Sequence, residues 1–220
     1  MKNLNQLLLD FDYDQNFKDD DFYVGKSNYY TFELINKWPN WEKNFLNISG
    51  EKFSGKTHIV NIFLKKFNGI KIESNLLNNE SLKTIKPFQS IVLEDLTLEV
   101  DENLIYTLFN IIDQDNKFLI ITSNKPIVDI NFKLGDLRSR TKNCLLAKIE
   151  NPDDELMFAL ILKNLSDRQI TLDKKLINFI IKRIDRSYGK IFEFIYKIDE
   201  ISLKKKKSID FKIINEALEN

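Results

Sequence analysis

The sequence predicts an α/β fold, a five-stranded parallel sheet sandwiched by helices, followed by a small all-α domain. Three observations predict it. Apolar runs of about five residues recur between stretches of helical spacing from residue 45 to residue 150, the pattern of strands buried on both faces of a parallel sheet. A glycine-containing octapeptide, 50–57, lies between one such run and a helical stretch. After Pro152 the strand-like runs stop and apolar residues recur only at three and four spacing, the signature of helices.

Taken in order, residues 1–21 carry the apolar hexapeptide QLLLDF (6–11) among Asp10, Asp12, Asp14, Asp19, Asp20 and Asp21, a density of like charge that favours a solvated tail. FLNIS (45–49), GIKIE (69–73), SIVLED (90–95), KFLIITS (117–123) and CLLAKIE (144–150) read as strands, and 56–67 and 102–114 as helices between them. Tyr29, Tyr30, Phe32, Trp38 and Trp41 are expected in the core of a first helix and its neighbours. Helices are predicted over 153–165, 173–184, 187–203 and 210–218, with Asp153, Asp173, Ser187 and Asp210 as N-caps. The run LKKKK (203–207) is expected as a solvated tip between the last two. The division is therefore a tail (1–21), an α/β domain (22–151) and a helical domain (152–220).

Of 220 residues, 33 are Lys or Arg and 33 Asp or Glu, so net charge gives no reason to expect a nucleic-acid backbone as partner. One cysteine, Cys144, and one histidine, His58, cannot build a disulfide framework or a Cys/His zinc site. Leu7–Leu9 is too short for a signal core and no run approaches the roughly 20 apolar residues of a membrane span. A soluble, cytoplasmic protein is expected.

Gly50-Glu51-Lys52-Phe53-Ser54-Gly55-Lys56-Thr57 fits G-x-x-x-x-G-K-[ST] in the strand-to-helix context its mechanism requires. Backbone N–H groups freed by Gly50 and Gly55 converge on phosphate oxygens, the following helix end adds partial positive charge, Lys56 reaches the β and γ phosphates, and the Thr57 hydroxyl can ligate Mg²⁺. Such a loop needs an acid at a neighbouring strand tip, and SIVLEDL supplies Glu94 and Asp95. Here the longer acid comes first and the shorter second, the reverse of a frequent order. Each swap moves a carboxylate by about one methylene, about 1.5 Å, and errors of about 1 Å can cost about 100-fold in rate. Slow hydrolysis is expected.

TSN (122–124) ends the next strand, and Arg138 and Arg140 in DLRSR (136–140) precede the last one, unaccounted for by the phosphate loop. In this order the chain resembles the DnaA/Hda family of AAA+ proteins over nearly its whole length, Gln6 to Leu218, and within it the short Hda type of regulator more than the initiator. FYVGKSN (22–28) is similar to the family's opening segment beside the adenine, GEKFSGKTH to its Walker A, VLED to its Walker B, TSN to sensor 1 and DLRSR to the box ending in an arginine finger.

The resemblance implies an AAA+ domain with a helical lid, binding ADP or ATP with Mg²⁺. Gly50, Ser54, Gly55, Lys56, Thr57, His58 and Val24 would contact nucleotide. Thr57 and Glu94 would hold the metal, Asp95 would be the second acid, Asn124 sensor 1, and Arg140 a finger acting in trans. The family's sensor 2 arginine is absent at the matched place; DRSYGKIFEF (185–194) offers Lys190 or Gly189, with Arg186 nearby, and lysine lacks the planar fork of arginine. An aromatic of the first segment is left open as the adenine stack.

QLLLDF resembles the hexapeptide that docks replication proteins on the β sliding clamp, with Gln6 as polar anchor and Leu7, Leu9 and Phe11 as apolar ones; an extended peptide presenting alternate side chains to pockets is the physical logic. The sequence reaches Asn220 without the helix-turn-helix module that follows the lid in the initiator, so no sequence-specific DNA binding is expected. The implied function is Hda-like: negative regulation of replication initiation, with the clamp and DnaA as partners, homodimerisation open, and at most weak intrinsic ATPase. The alternative is a helicase-loader-type ATPase acting on single-stranded DNA; a small-molecule kinase lacks the arginine-rich lid it would need.

Overall fold

The computed structural model of the protein describes residues 22–219, and the hexapeptide and acidic tail lie outside the described residues. Strands β1 Phe45–Ser49, β2 Gly69–Glu73, β3 Ser90–Leu96, β4 Phe118–Ser123 and β5 Leu145–Lys148 form one parallel sheet in the order β2-β3-β4-β1-β5. Each coincides with an apolar run read from sequence. The fifth is shorter than expected because the Cys144 N–H turns back to the Thr141 carbonyl at 3.2 Å, closing the preceding helix instead of joining the ladder.

Strand alternation sends successive side chains to opposite faces, and both faces are covered. Phe45, Ile91, Leu93, Leu119 and Ile121 pack with Leu82 of α3 Asn79–Thr84, Ile105, Leu108, Phe109 and Ile112 of α4 Glu102–Gln114, and Leu137 of α5 Gly135–Thr141. Leu46, Ile48, Val92 and Ile120 pack with Ile35 of α1 Tyr29–Asn36 and Ile59, Val60 and Phe63 of α2 Lys56–Lys66. This two-sided burial is why the strands read as continuous apolar runs. Phe45 stacks on Phe109 at 4.7 Å, and truncating either ring would cost about 3–5 kcal/mol.

Tyr29 and Tyr30 depart from expectation: they are 57% and 59% exposed. The eight-residue α1 buries only the i, i+4 pair Thr31 and Ile35, and the two tyrosines fall off that stripe. Trp38 and Trp41 do pack inward, on Phe63.

After β5 the chain is helical: α6 Asp154–Asp167, α7 Lys174–Ile181, α8 Tyr188–Lys205 and α9 Phe211–Glu219. They bury Met157, Ile161, Ile180, Ile195, Ile198 and Ile214 among themselves. Asp153, Asp173 and Ser187 cap their helices through the side chain, and Asp210 accepts from the Lys212 and Ile213 N–H groups. Such caps contribute about 1 kcal/mol each. The lysine run is partly helix rather than loop, since α8 continues to Lys205, where Lys204 and Lys205 pair with Glu200 and Glu216. Leu156 and Tyr188 join the bundle to the α2 face of the sheet, and the Tyr188 hydroxyl donates to the Glu150 carbonyl at 3.0 Å. Among the described residues no helix is long and apolar enough to cross a membrane.

Candidate functional site: a cleft between phosphate loop and lid

The loop 50–57 closes over the carboxyl end of β1, where parallel sheets place their ligands. Two glycines make it possible. At Gly50 a Cβ would lie 2.8 Å from Ser54 Oγ, and Gly55 has φ +91°, a left-handed value that disfavours side chains. Lys56 is buried, its Nζ donating to the Gly50 and Glu51 carbonyls at 2.9 Å each. Burial pulls its pKa down, and the carboxylates of Asp95, Glu94 and Glu51 pull it back. Ser54 Oγ is buried without a hydrogen-bond partner among the described residues; beside Lys56 and Thr57, it is a donor suited to a phosphate oxygen.

A cavity of about 610 Å³ opens in front of this loop. From the core it is lined by Ser54, Gly55, Lys56, Thr57, His58, Asp95 and Asn124, and from the opening segment by Phe22, Tyr23 and Asn28. Leu156, Leu160, Lys163, Asn164 and Asp167 of α6 and Tyr188, Ile191 and Phe192 of α8 form its lid side. His58 packs edge-on against Phe22 at 5.3 Å. Asn28 fixes the opening segment by accepting from the Gly25 N–H and donating to the Tyr23 carbonyl.

The two acids take different places. A bulge between Leu93 and Leu96 and a φ of +52° at Asp95 turn that side chain out to the cavity. Its backbone is held on both sides, the N–H donating to Thr122 Oγ1 at 2.8 Å and the carbonyl accepting from Ser74 Oγ at 2.6 Å. Glu94 is 2% exposed and does not line the cavity; Lys71 on β2 comes within 2.8 Å of its Oε2, a close ion pair without hydrogen-bond alignment. Burial works against the Lys71 charge, yet Glu94 and then Glu73 outweigh it and raise its pKa.

Among the described residues no three His, Cys, Asp or Glu side chains gather as a metal site. A hydroxyl and a carboxylate in one cavity do suit Mg²⁺, which takes one or two protein ligands and completes its shell with phosphates and water. Thr57 and Asp95 are the pair that the cavity brings together, with Glu94 behind them.

Asn124 follows β4, whose end is anchored by buried Asn47. The Asn47 side-chain amide donates to the Ile121 carbonyl and Ser123 Oγ and accepts from the Ile127 N–H at 2.8 Å.

Val24 and Lys190 are not brought to the cavity. Val24 is 36% exposed, one residue past the cavity-lining pair Phe22 and Tyr23. Lys190 pairs with Glu193 at 2.9 Å in solvent, and Arg186 pairs with Asp154. The lid contribution that sequence reasoning missed is the α6 stripe Leu156, Leu160, Lys163 and Asp167; its four, three and four spacing was legible as one helix face.

Arg140 lies on α5, apart from the cavity lining, with its side chain 32% exposed. It pairs with Asp113, and its guanidinium sits 5.2 Å from the centre of the Tyr106 ring. Arg138 borders a separate shallow groove.

With this geometry in view, comparison with solved structures is informative. Domain III of the Thermotoga maritima replication initiator DnaA superimposes with a TM-score of 0.74 at 20% identity, over 93% of this chain and 96% of that one. The fold is that of the DnaA AAA+ domain. A DnaA bound to AMPPCP and single-stranded DNA gives 0.66 at 20% identity, over 85% and 67%. In sequence the chain is 26% identical over 197 residues to DnaA of Helicobacter hepaticus, matching 78% of this chain and 42% of that protein, so it spans under half of that relative. An uncharacterized Haemophilus influenzae protein is 25% identical over 187 residues, 79% and 81% of the two. No protein-family model matches the chain.

Proposed function

We propose that this chain binds ADP or ATP in the cleft and acts as an Hda-type regulator of replication initiation. Gln6, Leu7, Leu9 and Phe11 dock on the β sliding clamp, and Arg140 is offered to ATP held by DnaA, promoting hydrolysis there. The observation that carries this reading is where the charges sit. Arg140 is at the surface, away from the chain's own cavity, while Glu94 lies buried behind that cavity, paired with Lys71.

In the chain's own cleft, Lys56 and Ser54 would bind phosphate, Thr57 and Asp95 would hold Mg²⁺, and Phe22 or Tyr23 would flank the base. Mg²⁺ supplies charge neutralisation across the phosphates when bound. With Glu94 committed to a lysine and Asp95 set beside Thr57 as a metal ligand, neither acid of the strand tip is left over to activate water, in keeping with weak intrinsic turnover. The AMPPCP-bound relative supports nucleotide as the ligand.

In trans, the planar Arg140 fork meets charge developing on a neighbour's γ-phosphate, an effect worth about 10³ to 10⁵ in rate. The chain together with clamp loaded on DNA should accelerate ATP hydrolysis on purified DnaA, and replacing Gln6 and Phe11 by alanine should abolish both clamp pull-down and acceleration. No acceleration by the unmodified chain would contradict the proposal. The second reading, an ATPase working on single-stranded DNA, draws on the DNA-bound relative; it requires turnover by the chain itself that rises with single-stranded DNA and is lost in Lys56→Ala.

A further inference from the structure

The lid is joined to the phosphate loop by a contact that the family resemblance does not supply. The Glu51 carboxylate, inside the loop, accepts hydrogen bonds from the Ser187 hydroxyl, the Tyr188 N–H at 2.9 Å and the Gly189 N–H at 3.2 Å. These donors are the N-cap and first residues of α8, which runs 18 residues. A helix start presents unpaired N–H groups and partial positive charge, and an anion there is stabilised. In nucleotide clefts a phosphate is a frequent occupant of such a position. Here the anion belongs to the chain.

Three further features fit this arrangement. Ser187 uses its hydroxyl twice, donating to Glu51 and accepting from the Lys190 N–H. Gly189 leaves room, since a Cβ there would lie 3.0 Å from Glu51 Oε1. Two residues on in the loop, Phe53 stacks on Phe192 of α8 at 4.5 Å and 11°. Meanwhile the cations near the start of α8 are turned elsewhere, Lys190 to Glu193 and Arg186 to Asp154.

We infer that Glu51 is the positioning residue of the lid: it holds α8 closed on the phosphate loop in place of a nucleotide phosphate, so that closure is the same whether the cleft is empty, holds ADP or holds ATP. The ADP and ATP arms rest on the nucleotide-binding reading; the empty arm does not.

Amide hydrogen exchange on the full chain tests it, read at residues 188–192 with the β3 amides as a control for global unfolding. Wild-type protection at 188 and 189 should agree within about twofold among empty, ADP and ATP states. Glu51→Ala, which removes the acceptor, should speed exchange there about tenfold or more in the empty state, and Glu51→Gln, which keeps an oxygen but loses the charge, should fall between. β3 should be unchanged. Wild-type protection that rises tenfold on adding nucleotide, or an unchanged rate in Glu51→Ala, would overturn the inference. Binding of a fluorescent ADP is measured alongside; its absence would remove the nucleotide reading alone, because the empty-state comparison still reports on Glu51.

Discussion

The phosphate-loop side and the α4–α5 side of the sheet handle charge in opposite ways. Around the loop, charges are answered from within: Lys56 by two carbonyls, Glu94 by Lys71, Glu51 by the start of α8. On the other side, Glu102, Tyr106 and Asp113 of α4, spaced by four and seven and so on one helix face, hold out the segment that carries Arg140. Glu102 accepts from the Lys133 and Leu134 N–H groups at 2.9 and 2.6 Å, just before α5, while Tyr106 and Asp113 meet the guanidinium. The Arg140–Asp113 pair is partly exposed on both sides, and such pairs are worth only about 0–1 kcal/mol. A desolvated triphosphate offers far more. The difference teaches that one region buries its charges among internal partners and the other leaves an arginine held only by a partly exposed pair.

The inward region should be the more costly to disturb. Lys71→Met strands the buried Glu94; breaking a fully buried pair costs about 3–5 kcal/mol, which the 32% exposure of Lys71 reduces to about 1–3 kcal/mol. Urea unfolding should show that loss, and adding Glu94→Gln should restore most of it. A neutral Lys71→Met would erase the contrast.

A smaller effect, at most about 1 kcal/mol for hydrogen bonds made this near the surface, is expected for Glu102→Gln, and its size depends on pH. Hydrogen bonds from the Lys133 and then the Leu134 N–H lower the Glu102 pKa below its ordinary value. The carboxylate's contribution is therefore complete above the unfolded pKa of about 4.3 and disappears as pH falls through the lower folded value. The stability gap between wild type and Glu102→Gln should be constant from pH 6 to 8 and close in acid; a gap widening in acid would assign the loop's anchoring elsewhere.

What the sequence disclosed was what lies close together along it. The strands, the loop 50–57, the helix caps and the Glu94-Asp95 tip follow from local periodicity and short motifs. What escaped depends on residues far apart. Lys71 meets Glu94 only because β2 and β3 are neighbours at the sheet edge, and Glu51 meets Ser187 across 136 positions. The bulge that turns Asp95 rather than Glu94 to the cavity has no local signature. Val24 and Lys190 were placed by family correspondence, which gives a register but not a side-chain direction. The short α3 and α5 carry too few turns for periodicity to speak.

The central claim, that Arg140 is a charge made available to another molecule, is tested most directly by Arg140→Ala in the stimulated hydrolysis of DnaA-bound ATP. Clamp binding, DnaA binding and ADP affinity would be measured on the same preparation. The account predicts that stimulation falls to the rate of DnaA alone while those three bindings persist, and that Arg140→Lys, a point charge without the fork, recovers only part of it. Full stimulation by Arg140→Ala would contradict the account.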